Sequence, residues 1–236
     1  MGEFVIDRSD PDGQVMLPAA VLWDMDGTLV DSEKLWDVAL QEAAERLDGS
    51  LSAVTRQRMV GSNTAVTLEL LFRELNLELT PAAYADTERW IVGRMTELLS
   101  ASLPWQPGAL DALRRVRQSG VPSALVTSTV RELAELALDS IGRDFFDVTV
   151  CGDEVGGLNK PHPEPYLRAA RMLGVEPAAC VAVEDSPLGV SSALAAGCTV
   201  LVVPSELPVE PGERRVFRES LVGLDDACFA ALPRSG

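Results

Sequence analysis

Histidine is nearly missing from this 236-residue chain: His162 stands alone, which nearly excludes histidine-based triads and histidine-rich metal sites. Lysine is almost as scarce, since only Lys34 and Lys160 stand among 20 basic residues. The four cysteines (Cys151, Cys180, Cys198, Cys228) form no C-x-x-C pair, which argues against a zinc cluster or disulfide framework and points to a reducing compartment. No apolar run approaches the roughly 18 residues of a membrane span. The opening MGEFVIDRSDPDGQ lacks the basic end and apolar stretch of a secretory signal. A cytoplasmic, soluble protein is expected. Also missing are the G-x-x-x-x-G-K-[ST] phosphate loop, the dinucleotide G-x-G-x-x-G and the G-x-S-x-G nucleophile elbow. Positive charge is short overall, with 36 acidic residues giving a net charge of −16. Such a field repels phosphate backbones and anionic lipid, so no nucleic-acid or membrane partner is expected. A small anionic ligand is compatible with it only beside a local cation.

What is present reads as a folded α/β protein, 47% hydrophobic and 24% charged. Apolar runs at 19–23, 123–126, 148–151, 180–183 and 199–203 have the look of buried strands. Amphipathic segments at 109–118, 130–140, 164–173 and 187–196 separate them. Strands alternating with such helices imply parallel pairing, and runs apolar on both faces imply a sheet covered on both sides. Residues 33–102 break the alternation with helical periodicity at 33–47, 52–60, 65–75 and 81–100. Asp31 or Ser32 is expected to cap the first of these helices, and Thr80-Pro81 to open the last. Val66, Leu70 and Leu71 are expected in their apolar core. The predicted organisation is an N-terminal arm (1–18), a Rossmann-like core (19–32 and 103–236) and an inserted all-helical cap (33–102).

Ligands of an open parallel sheet bind outside the carboxyl ends of its strands. There the first strand delivers Asp24-Met25-Asp26-Gly27-Thr28, the second Thr127-Ser128-Thr129 and the fourth Glu184-Asp185-Ser186. Lys160 follows the third, in Asn159-Lys160-Pro161-His162-Pro163, where His162 between two prolines serves to stiffen the loop. Gathered carboxylates repel one another, and a hard divalent cation, Mg²⁺, is the usual remedy. Phosphate explains the remaining residues, because Thr127, Ser128 and Lys160 offer donors and charge to its outer oxygens. Asp24 is then a nucleophile forming an aspartyl-phosphate. Asp26 is its acid and base, protonating the leaving alkoxide and later deprotonating water. Each piece alone has a plainer reading: D-x-D often caps a helix, Glu-Asp is often a solvated loop, and a lone lysine is usually a surface charge. The joint order at successive strand ends carries the argument.

Those motifs, in that order, resemble the four motifs of the haloacid dehalogenase superfamily, over about residues 19 to 203. Asp-Ser-Glu at 31–33, the helical insert and Lys160-Pro-His-Pro resemble the branch of β-phosphoglucomutases and 2-deoxyglucose-6-phosphatases. The resemblance implies a Rossmann-like core with a mobile helical cap and Mg²⁺ held by Asp24, the Asp26 carbonyl, Glu184 and Asp185. It implies that Thr127, the Ser128 amide and Lys160 hold the transferring phosphate. Dehalogenases lack the second aspartate, present here as Asp26. Phosphonatases use a cap lysine, whereas Lys34 reads as exposed.

Phosphatase against mutase is the closer choice. Where the mutases carry a cap histidine, a cap-loop arginine and a basic residue after the second motif, this chain has Trp36, the uncharged loop Gly61-Ser62-Asn63-Thr64, and Val130. The expectation is a Mg²⁺-dependent phosphatase of a small phosphomonoester, a sugar phosphate, acting as a monomer or weak dimer. Trp36, Gly61, Ser62, Asn63 and Thr64 are expected to meet the leaving group. A mutase is the alternative, and a non-catalytic binding protein a more distant one.

Overall fold

The computed structural model describes residues 17–101, 103–203, 205–230 and 232. Residues 1–16 of the expected arm, 102 of the expected cap, and 204, 231 and 233–236 of the expected core lie outside the described residues.

Six strands form one sheet, β1 (Ala20–Trp23), β2 (Ser123–Val126), β3 (Val148–Val150), β4 (Cys180–Glu184), β5 (Thr199–Val202) and β6 (Arg215–Phe217). Their order is β3-β2-β1-β4-β5-β6, every pair is parallel, and β1 lies between β2 and β4. Parallel neighbours need crossover connections, which helices supply between most of them. Those helices are α5 (Ala109–Ser119), α6 (Arg131–Ile141), α7 (Glu164–Leu173) and α8 (Pro187–Ala196), with a short α9 (Asp226–Ala230) near the end. Residues of β1, β2, β4 and β5 are buried throughout, so the alternating side chains feed two apolar clusters, one on each face. Val21, Trp23, Leu125, Val183 and Leu201 pack beneath α5 and α6, while Ala20, Leu22, Val126, Ala182 and Val200 pack beneath α7 and α8. Trp23 satisfies its buried indole N–H on Ser123 Oγ at 3.1 Å.

Between β1 and α5 run four helices, α1 (Glu33–Arg46), α2 (Ala53–Met59), α3 (Thr64–Glu74) and α4 (Pro81–Ala101). Ala39, Leu40, Met59, Leu68, Leu71, Phe72, Ile91 and Met95 form a third cluster, and Leu133 of α6 joins it. Leu70 packs against this cluster and Leu71 lies within it, but Val66 is exposed, contrary to expectation. The buried stripe of α3 is narrower than its sequence suggests, because Val66 in its first turn points to solvent. Thr80 Oγ1 accepts from Ala83 N at 3.2 Å, the predicted opening of α4. The predicted side-chain cap of α1 is not made: Ser32 takes the N-cap position, but its hydroxyl turns to Asp26 instead.

Candidate active site

The carboxyl end of β1 sets the geometry. Asp24 N continues the ladder by donating to Val183 O at 3.0 Å, which fixes Asp24 directly past the central strand. Its Oδ1 accepts from Lys160 Nζ at 2.7 Å. Its Oδ2 is buried and has no hydrogen-bond partner. Lys160 also donates to Glu184 Oε1 at 2.6 Å and to the carbonyl of Val126 at 2.9 Å, so all three ammonium protons are placed. Glu184 Oε1 accepts from Tyr166 Oη as well, at 2.6 Å, while Oε2 receives the Asp185 and Ser186 amides and the Ser186 hydroxyl. Thr28 Oγ1 donates to Asp185 Oδ1 at 3.2 Å. Gly27 has φ +85°, and a Cβ there would stand 2.2 Å from Asp185 Oδ2, so the turn after Asp26 requires glycine twice over.

Asp24, Glu184 and Asp185 each bring a carboxylate oxygen within 4.8 Å of the others. Three buried carboxylates against the single ammonium of Lys160 leave two negative charges without a counterion when all are ionised. Burial first, then the Glu184 charge, pushes the Asp24 carboxyl up to about 8 against the pull of Lys160. Burial and the Asp24 charge raise Asp185 well above the carboxylate range. Burial would lower Lys160, but the carboxylates of Asp24 and Glu184 outweigh it and hold the ammonium above its ordinary value. A donor set of oxygens, one of them orphaned, short of two positive charges, fits a hard divalent cation.

Asp26 lies two residues on with both oxygens engaged. Oδ1 accepts from Ser32 Oγ at 2.6 Å, and Oδ2 from Thr127 Oγ1 and Thr129 Oγ1 at 3.0 and 2.8 Å. Thr127 therefore turns its hydroxyl to Asp26, while Ser128 and Thr129 line the cavity. His162 accepts from the Glu164 amide on Nδ1, and its carbonyl accepts from Ser192 Oγ at 2.6 Å, tying the Lys160 loop to α7 and α8.

Above Asp24 and Asp26 lies a cavity partly open to solvent. Of the five residues expected there from the helical insert, Trp36, Gly61, Ser62 and Thr64 line it. Asn63 is not among the lining residues: its Oδ1 caps α3 by accepting from Val66 N at 3.0 Å. An Asn immediately before an apolar helix is a strong N-cap, and that signal was available in the sequence. Sequence reasoning missed Glu33, Arg56 and Thr129 on the same wall. Thr129 had a signal, since it closes the Thr127-Ser128-Thr129 strand end. Glu33 stands in the Asp-Ser-Glu signature at 31–33, which did not mark it as a wall residue, and Arg56 had no signal, because their contact joins two helices. Ser128 Oγ donates to the Gly61 carbonyl at 3.2 Å, and a Cβ on Gly61 would come within 2.9 Å of Ser186 Oγ. The insert thus closes directly on two of the strand-end loops.

A parallel sheet with an acidic, lysine-bridged centre at the end of its middle strand and helices closing over it is the frame of an α/β enzyme. Residues 18–197 match the haloacid dehalogenase-like hydrolase family, and the chain belongs to it. It is 35% identical over 196 residues to Protein CbbY of Rhodobacter capsulatus, covering 79% of this chain and 86% of that protein. Hexitol phosphatase A of Escherichia coli is 34% identical over 189 residues, covering 79% and 84%. Among solved structures, CbbY from Rhodobacter sphaeroides in complex with phosphate superposes with a TM-score of 0.79 at 28% identity, covering 88% of this chain and 96% of that one. No helix of the described residues is long and apolar enough to cross a membrane.

Proposed function

We propose that the protein is a Mg²⁺-dependent phosphatase that hydrolyses a small phosphomonoester, a sugar phosphate, through an aspartyl-phosphate on Asp24. One observation carries this reading: a buried carboxylate stands past the central strand with Lys160 on one oxygen and nothing on the other, beneath a cavity. The unpartnered Asp24 oxygen attacks phosphorus, and the ester P–O bond breaks. Asp26 gives its proton to the departing alkoxide, then takes one from the water that attacks the aspartyl-phosphate, releasing inorganic phosphate and restoring Asp24. To reach substrate, Asp26 lets go of Ser32 or of the two threonines. The Thr127 and Ser128 strand end and Lys160 hold the non-bridging phosphate oxygens. Asp24, the Asp26 carbonyl, Glu184 and Asp185 would hold Mg²⁺, whose charge offsets that of the phosphoryl group and the carboxylates together. Glu184 reaches that role only by exchanging one of its present donors.

In this reading residues 33–102 are a cap that closes over a core of 19–32 and 103–236 and keeps bulk water from the first half-reaction. Trp36, Gly61, Ser62 and Thr64 contact the leaving group. The enzyme works in the cytoplasm as a monomer or weak dimer. The likeness to hexitol phosphatase A favours a phosphorylated polyol or sugar as substrate. A mutase is disfavoured, because Trp36 and the uncharged 61–64 loop offer nothing cationic to a second phosphate. The test is phosphate release from a panel of sugar and nucleoside monophosphates with Mg²⁺. Asp24→Asn is expected to abolish release while leaving the melting curve cooperative. Retained turnover in the metal-replete variant sinks the aspartyl-phosphate.

A further inference from the structure

We propose that the buried Glu33–Arg56 pair selects the leaving group, admitting a neutral, hydroxyl-rich one and rejecting one that carries a second anionic group. The inference rests on the phosphatase reading and deepens it. Both side chains line the cavity that holds Asp24 and Asp26, and both are largely buried, 6% exposed for Glu33 and 14% for Arg56. Arg56 is the one cation that the described part of the helical insert contributes to that wall. Its charge is already matched. Nη2 donates to Glu33 Oε2 at 2.6 Å and to the Glu33 carbonyl at 3.2 Å, and Nε donates to Asp37 Oδ1. Two carboxylates on one guanidinium leave this end of the cavity without an unmatched positive charge, and the Asp26 carboxylate lines the same cavity.

A second phosphate entering here meets a guanidinium that must first be pulled from two partners and carboxylates that repel it. Like-charge juxtaposition of that kind is expected to separate the substrates by at least tenfold. A polyol meets the opposite situation. Its hydroxyls find acceptors and donors in Glu33, Ser62, Thr64 and Thr67, while its carbon face lies on Trp36 and Ile91. Arg56 thus acts through Glu33, holding the carboxylate in place as a hydrogen-bond acceptor, rather than as an anion receptor.

The measurement is kcat/KM for phosphate release by the full chain with Mg²⁺ from a hexose 6-phosphate, the matching 1,6-bisphosphate and an aryl phosphate. The wild type is expected to prefer the monophosphate over the bisphosphate by at least about tenfold. Glu33→Gln removes one carboxylate from Arg56 and is expected to narrow that preference about tenfold, mainly by raising KM for the monophosphate and lowering it for the bisphosphate. Asp37→Asn, at a carboxylate 56% exposed, shifts the ratio the same way to a smaller degree and decides the matter should Glu33→Gln fail to fold. Equal wild-type rates on the two hexose esters, or an unchanged ratio in both folded variants, overturns the selection. Loss of all three activities in the wild type, aryl phosphate included, overturns the phosphatase reading itself.

Discussion

Lys160 is buried between two carboxylates and a carbonyl, and the three contacts define what its removal does. Lys160→Met leaves Asp24 and Glu184 facing one another without a counterion. Breaking a buried pair by deleting one partner typically costs about 3–5 kcal/mol, and we expect a loss in that range by urea denaturation of the metal-free protein. The chemistry of this residue was legible in the sequence because lysine is so rare here and Lys160 follows the third strand. Its neighbours were less so. Tyr166 sits in the first turn of α7 and reads as an apolar core position, yet its hydroxyl donates to Glu184 Oε1. The Thr127 and Thr129 hydroxyls both bond Asp26, a pairing the sequence does not show, because a strand end with three hydroxyls does not say which of them meets the carboxylate.

At the level of elements, the first turn of α8 carries an unusually close approach. A Cβ on Gly189 would lie 1.9 Å from Glu184 Oε1 and 2.1 Å from Oε2, inside the shell that holds Lys160. Gly189→Ala is therefore expected to displace Glu184, costing at least about 1–3 kcal/mol as an overpacked core does, and to lower kcat more than KM. Calorimetry and steady-state kinetics check the two halves separately. Helices α1 to α8 and strands β1 to β5 were readable from apolar runs and periodicity, whereas α9 was not. β6 was not, since Arg215–Phe217 is three residues long at the sheet edge and only partly buried, which leaves no apolar run to read. The Glu33–Arg56 contact was invisible for a different reason. It depends on how α1 and α2 are rotated against each other, and amphipathic patterning fixes which face is buried without fixing which polar residues meet.

Across the whole molecule, protons and metal compete for one set of oxygens. Burial holds Asp24 up to about 8, and raises Asp185 and Glu33 as well, the latter against the pull of Arg56. The folded chain thus keeps protons that the unfolded chain releases at about pH 4. More protons bound in the folded state means that stability falls as pH rises, here from about 4 toward 8. The metal-free protein is expected to melt at a lower temperature at pH 8 than at pH 5.5. Mg²⁺ is expected to narrow that gap, because it binds the ionised oxygens and its apparent affinity grows with pH. Thermal melts in EDTA and in excess Mg²⁺ at both pH values test this; a metal-independent slope would count against the Asp24 site.

The burial of one of only two lysines has a practical side. Lys160 has 2% of its side chain exposed, whereas Lys34, on the first turn of α1, has 73%. An amine-reactive dye therefore finds one accessible lysine, adjacent in sequence to Glu33 at the wall of the cavity. Without any engineered cysteine, conjugation at Lys34 would turn the native chain into an optical reporter of how α1 moves when the cavity fills.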